Sequence, residues 1–221
     1  GQSARMVYFD LSTTLGTQYG GMQASDLDGK TLPPAGAPNV FGEIDDDATG
    51  FPSDRLDLFN FHVDWATTGN STFSGPTAVA VAPFDAGFPC GDADGDGAAR
   101  NCIPQRAGPG LDVISDRLMF RLAYRRFADH EALTVDHTVD VNNPEGHAGV
   151  RWYELRKSGT AAWTVYQQGT YAPDARHRWM GSMAMDRAGD IAVGYSLSSS
   201  TMNPAIAYAG RLVADPLGQL G

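Results

Sequence analysis

The segment "CGDADGDGAARNC", residues 90–102, holds the chain's only two cysteines and three aspartates on alternate positions between them. Alternate carboxylates converge on one centre, hard cations favour carboxylate oxygens, and Gly97 permits a sharp turn, so Asp92, Asp94 and Asp96 match the first half of a calcium loop. The second half departs from that pattern. Ile103 stands where an EF-hand places its bidentate glutamate, and no helical pattern flanks the loop. Backbone carbonyls or Asp85 could complete the shell, or the segment is a solvated acidic hairpin tip. Pairing of Cys90 with Cys102 would close a short loop and stabilise the fold by roughly 3 kcal/mol. It would also imply an oxidising compartment, secreted or periplasmic; two reduced thiols in a cytosolic protein are the alternative. Either way the loop reads as a clamp.

Catalytic candidates are polar residues placed where a strand does not need them. His62 and Asp64 share one strand face, a spacing that lets an imidazole and a carboxylate act together. "ADHEAL" puts Asp129, His130 and Glu131 at a hairpin tip, and His137 follows one strand later. Arg151 and Glu154 flank Trp152, while His177, Arg178 and Trp179 open the next unit. Each has a structural reading too: strand histidines often serve as hydrogen-bond partners, and arginine and glutamate pair across strands. Trp152 and Trp179 are either sugar-stacking platforms or packing residues.

Elements able to position such residues are strands throughout. Phe59, Phe61, Val63 and Trp65 alternate with Asn60, His62 and Asp64. Leu133, Val135, Val139 and Val141 alternate with Thr134, Asp136, Thr138 and Asp140. Gly, Pro, Asn and Asp punctuate the intervals. The fold class is all-β and antiparallel. Two segments open alike, "SDRLDLFNFHVDW" and "SDRLMFRLAYRRF", and a third begins at "RHRWMGSMAMDRAGDIAVGYS". A recurring four-stranded unit of roughly 40 to 60 residues is the mark of a β-propeller blade, and a single sandwich is the alternative. The expectation is one propeller-type region over residues 1–221, with units at 1–52, 53–115, 116–173 and 174–221.

The runs "DRLMFRLAYRRFADHEALTVDHTVDV", "RWYELR", "VYQQGTYAPD", "HRWMGSMAMDRAGDIAVGYSLSSS" and "YAGRLVADPLG" resemble the C-terminal part of large secreted bacterial β-propeller proteins without assigned activity. The resemblance extends from about "LPPAGAPNVF" to the C-terminus. It implies a propeller fold and export, and it carries no mechanism. It also implies an incomplete ring, completed by missing N-terminal blades or a second chain, since an open sheet edge invites pairing. A self-contained five-bladed ring is the rival expectation.

Charge narrows the partners. A formal net charge of −10 over 221 residues argues against nucleic acid and anionic membrane surfaces. No apolar run approaches the roughly 20 residues of a transmembrane helix. Two functions remain. The first is an extracellular binding or scaffold module that recognises a polysaccharide or protein surface. The second is a sialidase-like glycoside hydrolase with carboxylates at the propeller's central funnel. The second lacks the Asp-box frame and an arginine triad, and no G-x-S-x-G or H-E-x-x-H occurs.

Overall fold

A computed structural model describes residues 9–10, 21–90, 101–142 and 145–221. The acidic loop aspartates Asp92, Asp94 and Asp96 lie outside the described residues. The all-β expectation holds: thirteen strands and two single-turn 3-10 helices make up the regular structure of the described residues. The strands are β1 (Gln23–Leu27), β2 (Asn39–Asp45), β3 (Arg55–His62), β4 (Thr72–Ala80), β5 (Asn101–Ile103), β6 (Leu111–Asp112), β7 (Leu122–Arg126), β8 (Glu131–Asp140), β9 (Ala148–Lys157), β10 (Thr164–Tyr171), β11 (His177–Met185), β12 (Ile191–Ser199) and β13 (Met202–Arg211).

Consecutive strands pair antiparallel into two four-stranded meanders, β1–β4 and β7–β10. Their first strands join in parallel, Ser25 beside Leu122 and Leu27 beside Tyr124. The result is one eight-stranded sheet of order β10-β9-β8-β7-β1-β2-β3-β4, curled into a half-barrel. A second sheet, β11-β12-β13, packs outside it, and β5 and β6 form a separate hairpin.

Side-chain alternation explains the layering. Leu56 and Leu58 on β3 point to the concave side with Leu133 and Val135 of β8 and Tyr153 and Leu155 of β9, forming the half-barrel core. The opposite faces of β8 and β9 carry Ala132, Val150 and Trp152, which pack against Met183, Ile191, Val193 and Leu197 of the second sheet. Covered on both sides, β8 is buried at all ten positions. Its polar face, Thr134 to Asp140, is therefore interior despite an alternation that reads as amphipathic from the sequence. A phenylalanine cluster covers the other face of β3: Phe59 stacks on Phe73 with centroids 5.7 Å apart, and Phe41 meets Phe61 edge-on at 5.8 Å.

The half-barrel is held shut where the chain leaves β4. Arg151 on β9 donates to Ala82 O at 3.0 Å and to Gln168 Oε1 at 2.7 Å, and Ala82 N donates to the same Gln168 oxygen at 3.0 Å. Beyond that point the chain is stitched to the β2–β3 turn by carboxylates. Asp54 accepts from Phe84 N at 2.6 Å and Asp47 N at 2.9 Å, while Asp46 accepts from Ala86 N at 2.8 Å and Ala48 N at 2.7 Å. Cys90 and Cys102 stand at disulfide distance, Cα to Cα 4.6 Å, beside a small core of Ile103, Val113, Ala148 and Trp179.

Candidate ligand-binding groove

The catalytic candidates do not gather. Among the described residues they meet only locally, Asp129 beside its sequence neighbour His130 and His137 across from Arg151 on the paired strands, and most are engaged elsewhere. Arg151 closes the half-barrel as above. Glu154, fully buried, sits between Arg156 and Gln167, and Gln167 in turn accepts from Gly218 N at 3.1 Å. Glu131 accepts from the Tyr124 hydroxyl at 2.6 Å and faces Lys157 at 3.5 Å. Arg178 holds Asp174 through two 2.9 Å contacts, lying over the rings of Tyr171 and Tyr195. Hydrogen bonds from Arg178 and Arg176 hold the Asp174 carboxyl well below the usual carboxylate range.

The histidines divide among separate neighbourhoods. His62 lies on β3 opposite Thr72. Asp64 accepts from Thr67 N at 2.8 Å and Ala66 N at 2.9 Å, which lowers its pKa and orders the turn that follows. His130 stacks on Phe127 with centroids 4.6 Å apart and contacts Asp129 at 2.8 Å. His137 is fully buried, 2.9 Å from the Tyr153 hydroxyl; burial, with the Arg151 charge second, pushes its pKa down to about 3 and keeps the ring neutral. His177 accepts from Ala148 N at 3.3 Å and meets His147 edge-on; burial first and His147 second lower its pKa. Trp152 and Trp179, 1% and 3% exposed, fill the inter-layer cores and present no face to solvent.

One carboxylate stands apart. Asp136, at the centre of β8, is fully buried with no hydrogen-bond partner on either oxygen, and burial raises its pKa to about 8. Gly181 of β11 packs directly on it, since a Cβ there would fall within van der Waals overlap of the Asp136 carboxylate. At neutral pH the group is therefore mostly a neutral acid inside the sandwich.

A metal would find carboxylates in the Asp46, Asp47 and Asp54 cluster, whose oxygens lie within 4.8 Å of one another. Three or more oxygen donors suit a hard cation. Both oxygens of Asp46 and of Asp54 already accept backbone N–H groups, so the cluster is accounted for as a chain clamp.

The open concavities lie elsewhere, on the outer side of the second sheet. A cavity of about 820 Å³ is floored by the small residues Ala184, Ala192 and Gly210 and walled by Tyr208 and Arg211. Cross-strand pairing puts the floor residues side by side, Ala184 beside Ala192 and Ala192 beside Gly210. Tyr208 is 85% exposed, and Ile206 farther along β13 is 90% exposed. Of the carboxylates around this floor, Asp28 engages Arg121 and the others are tied to the backbone. Asp186 accepts from the amides of Ala188, Gly189 and Asp190, Asp190 from Val213 N at 2.6 Å, and Asp215 from Leu212 N at 2.6 Å. For Asp186 burial pulls the pKa upward, but the three amide donations outweigh it and the net shift is downward.

Arg125 lines this cavity and a second one of about 730 Å³, which adds Lys30, Arg126, Phe127 and Arg187. Together they form a groove running from the β1–β2 and β7–β8 turns across the β11–β12 hairpin to β13. Sequence reasoning missed these residues because positions 30, 125–126, 187 and 208 belong to four separate segments. Two local signals were present: the paired arginines of "YRRF" at a strand end, and the lone aromatic in "AIAYAG", where alternation aims a large ring away from the alanines' buried partner. No family model, curated protein or solved structure matches the chain.

Proposed function

We propose that the chain is an extracellular recognition module that binds a polysaccharide along the groove on the outer face of the β11-β12-β13 sheet. The observation that carries this reading is the 85% exposed Tyr208 beside a floor of alanine and glycine. A flat, side-chain-poor surface lets a sugar ring approach the backbone, and an exposed tyrosine offers an apolar face with a polar tip. The two four-stranded meanders are read as blades of a propeller-type assembly, in keeping with the resemblance in the sequence. A further blade or second chain would meet β13, where Asn203–Ile206 are exposed. The Cys90–Cys102 pair supports an exported protein.

Binding is preferred over hydrolysis because a hydrolase needs one carboxyl kept protonated near neutral pH and another ionised beside the glycosidic bond. In the groove Asp186 is held ionised by amide donors, and Asp136, the carboxyl raised to about 8, is sealed beneath β11. The test is affinity electrophoresis through gels containing neutral or acidic polysaccharides, with Tyr208→Ala alongside and reducing ends assayed in solution. Retardation by a polysaccharide that the variant loses, without release of reducing ends, is the expected result. Release of reducing ends, or equal mobility in every gel, would overturn the reading.

A further inference from the structure

We infer that the pocket formed by Lys30, Arg125, Arg126 and Arg187 is an oxyanion site, so that the polysaccharide bound in the adjoining groove is a sulfated or carboxylated one. The inference rests on the recognition reading above and names the class of its ligand.

In a chain of net charge −10, basic side chains should find carboxylates easily, and many do: Arg55, Arg117, Arg121, Arg156, Lys157 and Arg178 each sit in an ion pair. The four cations of this pocket form no ion pair among the described residues, although they line a single cavity. Like charges held together cost free energy unless a counter-charge joins them. The nearest acidic groups are already committed. Asp28 and Asp26 both engage Arg121, and Asp186, whose carboxylate feels the Arg125 charge without forming an ion pair with it, holds three backbone amides.

The pocket's walls are also fixed to one another. Arg125 donates through Nε to Met185 O at 2.8 Å, tying β7 to β11 and leaving its terminal nitrogens for a ligand. Arg126 donates from Nη1 to Leu32 O at 3.0 Å, and Asp28 N donates to Tyr124 O at 2.7 Å, so the β1–β2 turn is anchored on β7 from both sides. Gly29 makes room for this arrangement, since its backbone sits at φ +88° and a Cβ would stand 2.5 Å from Arg125 Nη1. A planar guanidinium can donate two parallel N–H bonds to a pair of oxygens on a carboxylate or on a tetrahedral sulfate, and the fold orients two such groups here. Lys30 and Arg187, both exposed, add mobile charge at the mouth. A cavity of about 730 Å³ has room for a charged disaccharide, and Arg125 hands the ligand on to the floor beneath Tyr208.

Dextran sulfate and unsubstituted dextran make the comparison, with inorganic tripolyphosphate as a free oxyanion, each titrated calorimetrically at low and at physiological salt. The variant is K30E/R187E, which alters only exposed side chains, and R106E/R117E reverses the same number of charges outside the pocket. Expected are dextran sulfate binding that weakens as salt rises, a loss of at least tenfold in K30E/R187E, and little change in R106E/R117E. Dextran binding with the sulfated polymer no better, lost in Tyr208→Ala but kept in K30E/R187E, would overturn this inference and leave the recognition reading intact. Equal losses in the two charge-reversed variants would mean diffuse attraction and also overturn it. Tripolyphosphate binding without any polymer binding would overturn the polysaccharide source and the recognition reading together.

Discussion

Two neighbourhoods of like charge in this molecule meet opposite fates. At the β2–β3 turn Asp46 and Asp54 lie close together and buried, and every oxygen of the pair accepts an amide of the chain. At the other, Lys30, Arg125, Arg126 and Arg187 share a cavity; Arg125 and Arg126 each hold a backbone carbonyl, and none of the four forms an ion pair among the described residues. A cluster of like charges becomes a site only when the fold has not already spent it. By that measure the acidic turn is architecture, and the basic pocket is open for a ligand.

The comparison breaks most forcefully at the acidic turn. Asp54→Ala removes a buried charged acceptor from two amides, and the loss should be about 3 kcal/mol, seen as a lower denaturant midpoint; polysaccharide binding by the folded fraction should not change. The next effect concerns the buried acid. Because the Asp136 pKa is raised from 3.8 to about 8 by burial, the folded state keeps a proton that the unfolded state has lost, so stability falls as pH rises between those values. His137, lowered from 6.5 to about 3 by burial, has the opposite slope below pH 6.5, and the two offset there. The difference in stability between Asp136→Asn and the parent should therefore grow with pH from about 4 to 8, by at most about 1.4 kcal/mol per unit, in urea melts across that range. A flat difference would mean that Asp136 has a polar partner in solution.

On the basic side the effects are on binding. Tyr208→Ala should abolish retardation by polysaccharide while changing the unfolding free energy by no more than about 0.5 kcal/mol, since the ring is exposed. The smallest effect is that of Gly29→Ala. It should weaken dextran sulfate binding several-fold by displacing Arg125, and cost about 1 kcal/mol at its positive φ.

How much was legible beforehand follows from the length scale of each feature. Strands were legible because alternation is local: Leu133 and Val135 against Thr134 and Asp136 assign two faces without any tertiary knowledge. What covers those faces was not. Nothing near Trp152 indicates that Met183 and Val193 will lie over it, so a core tryptophan and a sugar platform look the same in the sequence. Arg151 and Glu154 suffered likewise, since their partners Ala82 and Gln167 come from other strands and loops. The oxyanion pocket is the extreme case, with cations from the β1–β2 turn, the end of β7 and the β11–β12 hairpin.

The parallel joint between β1 and β7 carries a consequence for how the chain assembles. Every other pairing in the eight-stranded sheet links strands that follow one another, so each meander can zip up by closing short loops. The joint brings Ser25 to Leu122 across nearly a hundred residues and has the greatest closure entropy to overcome. Closure entropy therefore predicts that the two half-sheets form before they dock, and in pulsed hydrogen exchange the amides along that one line should reach native protection last. Lys30 follows β1, and Arg125 and Arg126 end β7, so the pocket draws its basic residues from both halves and requires their joint.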